Sequence, residues 1–172
     1  MGRQSLTTML AGGDRRSIGR SNEIVSVVLE QPQQLPELIG CLWNADAIVR
    51  MRAADAIEKI SMRKATLLER YKAGLLELME EVQQQELRWH LALVIPRLSL
   101  TKGEQRRAVA ALRGYLNDRS SIVKTCALQG LADLSRVMPA LRQPIKKLLG
   151  ESSRTGTAAM KARARNLLSE TE

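Results

Sequence analysis

The residues best able to do chemistry in this chain are few and scattered. His90 is the one histidine among 172 residues, so no multi-histidine metal site and no Ser-His-Asp arrangement is expected. Cys41 and Cys126 lie far apart and form neither a zinc motif nor a disulfide framework. Cys41 reads as a core residue and Cys126 as a partly exposed one. No metal and no cofactor are expected, and nothing points to an enzyme. The chemistry that remains is recognition. Met51, Arg52, Trp89 and His90 supply sulfur, guanidinium, indole and imidazole, and Trp and Arg are favoured binding anchors.

Charge offers a second kind of recognition. The net charge is +9, with +3 on residues 1–22, +5 on residues 136–172 and +1 between them. Arg15, Arg16 and Arg20 at one end, and Lys146, Lys147, Lys161 and Arg165 at the other, could face a polyanion such as nucleic acid. The alternative is a solubilising surface. The run Gly12-Gly13-Asp14-Arg15-Arg16-Ser17-Ile18-Gly19 is likewise open to two readings. It could bind an anion at its backbone amides, or it could be a structural turn that caps the first helical repeat. It lacks the Gly-Lys-Ser/Thr ending of a P-loop.

The elements that would position these side chains come from an internal repeat. The stretch at 48–61 returns at 87–99, at 123–135 and, truncated, at 160–168. Its basic column is Arg50, Arg88, Lys124 and Lys161, spaced by 38, 36 and 37 residues. Apolar or small residues stand one before the base and three, seven and ten after it. These are Val49, Ala53, Ile57 and Ile60, then Leu87, Leu91, Ile95 and Leu98, then Val123, Ala127, Leu131 and Leu134. That spacing predicts one buried face of an α-helix. A second helical stretch precedes each copy, at 35–43, 67–82, 106–116 and 141–149. The unit is thus a helix pair of about 37 residues. Strand signals are absent, and the composition, 44% hydrophobic but 2% aromatic, suits packed helices.

Local signals place the boundaries. Ser21 is expected to cap a helix through Glu30, which Pro32 stops, and Asp46 to cap the helix that begins near Ala47. Residues 62–68 read as a connector before a long helix ending at Val82. Pro96 should kink or end its helix. Thr101 and Glu104 have capping-box spacing. Pro139 restarts a helix, residues 150–156 read as a loop, and residues 169–172 as a frayed acidic tail. Residues 1–20 are taken as a basic segment and cap, and 21–172 as one helical-repeat domain. The N-terminus lacks an apolar signal-peptide core, and Leu6 stands where a myristoylation pattern wants Ser or Thr. No apolar run reaches about 18 residues, so neither a membrane span nor a membrane partner is expected and the cytoplasm is the expected compartment.

In its second helices, where an apolar and a basic residue lead an alanine-rich run, the chain resembles the HEAT-repeat family. Asp46 and Asp118 supply the acidic turn residue common in that family. The resemblance spans residues 35–168, and the whole sequence is similar to small bacterial HEAT-repeat proteins. It implies an all-α, right-handed α-α superhelix of about four helix pairs, with a ladder between turn acids and following bases. It also implies a concave binding face, on which Met51, Arg52, Asp55, Trp89, His90, Thr125, Gln129 and Arg163 would lie. The implied function is a non-enzymatic scaffold for another protein or peptide, with nucleic-acid binding the alternative. HEAT-like DNA glycosylases give that alternative a remote enzymatic form, for which Trp89, Arg52, Arg88 and Asp55 are the candidates. The paired His-Glu motifs of HEAT-like metal hydroxylases are missing.

Overall fold

The structure is a computed structural model that describes residues 4–14 and 16–170. Regular structure among the described residues is entirely helical. The chain divides into two compact units, Met1–Tyr71 and Lys72–Glu172.

The first unit contains α1 (Leu6–Leu10), α2 (Ser21–Glu30), α3 (Leu35–Gly40) and α4 (Ala47–Lys64), with 3₁₀ turns at Pro32–Gln34, Cys41–Trp43 and Ala65–Tyr71. α4 is its centre, and α1, α2 and α3 all pack against it. Asp46 accepts the Ile48 N–H at 2.8 Å and caps α4 as its sequence position predicts. Ser21 differs from expectation. It is the first residue of α2, fully buried, and its hydroxyl donates to Asp55 on α4, so it ties two helices together instead of capping one. The short helix α1 has no counterpart in the sequence-based reading. Ser5 caps it, and Leu6, Met9 and Leu10 are buried in the unit's core. Residues 62–71 continue α4 and then tighten to 3₁₀, in place of the expected connector.

The second unit contains α5 (Lys72–Glu81), α6 (Gln85–Val94), α7 (Lys102–Tyr115), α8 (Ser121–Val137), α9 (Arg142–Thr155) and α10 (Ala158–Ser169). α6 packs on α8 and α8 on α10, while α5, α7 and α9 pack on α6, α8 and α10 respectively. The start of each of three helices has a side-chain cap. Thr101 and Glu104 form a complete capping box, Ser120 accepts from Val123, and Thr157 accepts from Met160. Pro96 lacks the N–H that would continue α6, which ends at Val94 and gives way to a 3₁₀ turn.

All twelve stripe residues, on α4, on α6 with the turn after it, and on α8, are buried. The truncated copy in α10 buries Ala164 and Leu167. Full burial of each larger aliphatic side chain stabilises by about 1.5–3 kcal/mol. One expectation fails in the second unit. Residues 150–155 belong to α9, because Ile145, Leu149 and Ser152 are buried at helical spacing and carry the helix through Gly150. The chain turns only at Gly156.

Two glycines separate packing from propensity. A Cβ at Gly130 would overlap the Ala92 carbonyl oxygen and sit 3.1 and 3.2 Å from the Leu112 methyls. A Cβ at Gly150 would meet only the Arg154 guanidinium, at 3.9 Å. Gly130→Ala should therefore cost about 1–3 kcal/mol through overpacking. Gly150→Ala should instead stabilise by about 0.5–1 kcal/mol, because Ala is the better helix former. Urea unfolding of the two variants checks both signs.

Candidate functional site

The residues expected to form one recognition surface have different fates. In the first unit, Arg52 projects from α4 and is only 3% exposed. Its Nη1 donates to the carbonyls of Leu10 (2.7 Å) and Gly12 (2.6 Å), Nη2 to Asp14 (3.0 Å) and Nε to Ser17 (3.0 Å). The segment around Gly12 and Gly13 thus wraps a guanidinium. Positive φ at Gly12 (74°), Gly13 (78°) and Gly19 (54°) turns the chain, and a Cβ at Gly19 would lie 2.8 Å from the Arg52 Cζ. The glycine turn presents carbonyls inward, so it cradles a cation of its own chain and is not an anion nest. Arg52 is a structural residue, which corrects its placement on an open binding face.

Asp55 is also engaged. It accepts from the Ser21 hydroxyl and from Lys59 Nζ at 2.6 Å, and Lys59 also donates to Asn22 at 2.7 Å. These bonds join α4 to α2 and leave Asp55 as part of a helix–helix tie. Met51 is half-buried. Arg16 is exposed, while Arg20 is held by Glu23 through two bonds of 2.7 Å and by Gln4 at 2.9 Å. Arg15 lies outside the described residues.

In the second unit, His90 is 8% exposed, buried where the sequence points to a surface residue. Its ring lies 5.6 Å from that of the half-buried Trp89. On α8, Thr125 is half-buried and donates to the Ser121 carbonyl at 2.7 Å. Gln129 donates to Asp133 and accepts from Arg163 of α10, each at 3.0 Å. Arg136 donates to Asp133 at 3.2 Å and to Glu170 at 2.7 Å. Side chains of α8 thus bond to α10 and to the residue just past its end. Burial pushes the Asp133 carboxyl above its ordinary value despite Gln129 and Arg136 beside it.

Arg88, one of the four candidates for a glycosylase groove, is another internal tie. It donates to the Val82 carbonyl (2.8 Å), Gln83 (2.8 Å) and Asp118 (2.6 Å), and its guanidinium lies 5.4 Å from the Tyr115 ring centroid. Burial pushes the Tyr115 phenol up, and its hydroxyl donates to the Met79 carbonyl at 2.5 Å. Burial alone would raise the Asp118 carboxyl, but the Ser120 N–H and Arg88 outweigh it and hold it below the usual range.

Cations left open by the fold stand on α7 (Lys102, Arg106 and Arg113) and on α9 and α10. Arg142, Lys146, Lys147, Arg154, Lys161 and Arg165 have no side-chain hydrogen bond or ion pair among the described residues. Lys72–Glu172 carries seventeen Lys and Arg against ten Asp and Glu, or +7 of the total charge. Beside these cations a cleft of about 420 Å³ opens among α8, α9 and α10. Ala132, Ile145, Leu149 and Leu167 form its apolar lining, and Arg136, Arg142 and Lys146 stand at its edge. Sequence reasoning missed the cleft. Its trace is the interleaving of Ile145 and Leu149 with Arg142 and Lys146, two rows at i, i+4 on one helix.

No protein-family model and no curated protein matches the chain. No helix among the described residues is long and apolar enough to cross a membrane.

Arg52→Met should leave four inward carbonyls without a donor, at about 1–3 kcal/mol for each such buried group unless the segment detaches. Hydrogen exchange should consequently accelerate across residues 6–14 and 16–19 well before α4 loses protection. The lowered Asp118 carboxyl gives a second expectation. Ionised Asp118 favours the folded state fully above about pH 5, and the advantage fades as pH falls through the lowered folded value. The melting temperatures of the wild type and Asp118→Asn should accordingly converge on acidification, which thermal scans between about pH 7 and about pH 2.5 would read.

Proposed function

We propose that the chain is a non-enzymatic scaffold for protein–protein interaction, a short HEAT-like solenoid of stacked helix pairs working in the cytoplasm. Three features support the architecture. The basic column recurs at 36 to 38 residues, its apolar stripe is buried in successive copies, and Arg88 bridges to Asp118 in the next turn as a ladder requires. The partner lies on the face of α6, α8 and α10 that carries Trp89, Thr125, Gln129 and Arg163. The observation that carries this reading is the 3.0 Å bond from Arg163 to Gln129, which aligns neighbouring positions of α8 and α10 into one polar strip. Solenoids characteristically use such continuous faces for binding.

Nucleic-acid binding is the second reading, favoured by the six cations of α9 and α10 that have no partner among the described residues. A photo-crosslinking residue at Thr125 separates the two. The scaffold reading expects a discrete crosslinked protein that is lost on Trp89→Ala or Arg163→Glu while thermal unfolding is unchanged. It also expects no anisotropy change with labelled DNA or RNA at about 50 mM salt. Crosslinks to nucleic acid alone, with affinity that collapses between about 50 and about 200 mM salt, would replace the scaffold by the second reading.

A further inference from the structure

Resting on the scaffold reading, we infer that the cleft among α8, α9 and α10 is a docking site for an acidic amphipathic helix of a partner protein. One aliphatic side chain of the partner enters the cleft, and carboxylates on the adjoining turns meet Arg142 and Lys146.

The argument begins with what the cleft offers. Its volume, about 420 Å³, lies within the range of about 300–1,000 Å³ typical of binding pockets. The apolar part of its lining is aliphatic and no aromatic ring lines it, while Ser135 and Gln143 add neutral polar groups, so it suits a leucine-type side chain and gives a nucleic-acid base no ring to stack on. Arg136 is held in place by Asp133 and Glu170, which keeps one wall ordered before anything binds. Arg142 and Lys146 are one helical turn apart, or about 6 Å along the axis, and neither has a side-chain partner among the described residues. Carboxylates at i, i+4 on a second helix have the same spacing.

Charge selects among the possible occupants. A second copy of this chain would bring its own cations against Arg142 and Lys146, in a unit that already carries +7. An acidic partner gains attraction from the same groups. A second depression of about 360 Å³, where Leu98, Leu134 and Val137 stand beside Arg97, Ser99 and Gln105, also borders the last turns of α8. Val137 beside it is 64% exposed. The end of α8 thus borders two depressions in which aliphatic and polar side chains alternate, the mixture that an amphipathic helix presents in return.

The test is a fluorescence titration of the full chain with a synthetic helical peptide that carries leucines on one face flanked by glutamates. Three controls accompany it: the same peptide with Leu→Ala, a single-stranded oligonucleotide of equal charge, and anionic phospholipid vesicles. The parent peptide should bind. Affinity should fall about tenfold or more with Leu→Ala in the peptide, and similarly with Arg142→Glu and Lys146→Glu together in the protein. Neither protein side chain is bonded among the described residues, and circular dichroism should show the fold unchanged. Methyl NMR signals of Ile145, Leu149 and Leu167 should shift on binding. Equal binding of the Leu→Ala peptide, tighter binding of the oligonucleotide or vesicles, or shifts confined to other residues would overturn the inference. If the peptide fails while crosslinking through residue 125 still captures a protein, the acidic partner is wrong and the scaffold reading survives. If both fail, both fall.

Discussion

Burial of aliphatic side chains on α4, α6 and α8 imposes the condition that everything else must satisfy. With no phenylalanine and little other aromatic surface, these cores are filled by Leu, Ile, Val and Ala. Small side chains fill space only if helix backbones come close, and Gly130 against the Ala92 carbonyl marks the limit of that approach. Close approach leaves no room for water, so polar groups that border the core need partners within the protein. Buried Tyr115 sends its hydroxyl to the Met79 carbonyl, and Ser21 sends its own to Asp55.

Arginine supplies many of those partners. Arg52 joins α4 to the turn around Gly12 and Gly13, and Arg88 joins α6 to the turn that follows α5 and to Asp118. Each uses the fan of donors on one planar guanidinium to satisfy acceptors that point in several directions, which a lysine could not do. A high arginine count in this chain is therefore partly a structural requirement. Net charge alone overstates how much cationic surface is open to a ligand. The cations of α9 and α10 are of another kind, because most of them meet neither acids nor inward carbonyls among the described residues.

That contrast bears on function. A binding surface needs groups that the fold has not already consumed. In the first unit, α1, α2 and the glycine turn consume Arg52 and Asp55. In the second, the strip along α6, α8 and α10 and the cleft beside α9 keep polar and cationic groups next to apolar ones. An aliphatic lining contributes to binding only when apolar surface enters it, whereas the cations act on any anionic ligand.

Residue order was enough to set the helical class and the core stripe, because a spacing of 4-4-3 leaves one helix face with nowhere to go but inward. Asp46, Thr101 and Pro96 marked boundaries correctly, since capping and the missing proline N–H act within one turn of chain. Ser21 and Gly150 did not follow local rules. Ser21 was claimed by an acid 34 residues away, and Gly150 was carried by the burial of Ile145, Leu149 and Ser152. Which arginines are tools of folding, and which are open to a partner, was settled by long-range packing alone. The side chains of Arg52 and Arg142 are chemically identical, and both sit among apolar residues at helical spacing. What separates them is whether a distant stretch of backbone brings its carbonyls to meet the guanidinium.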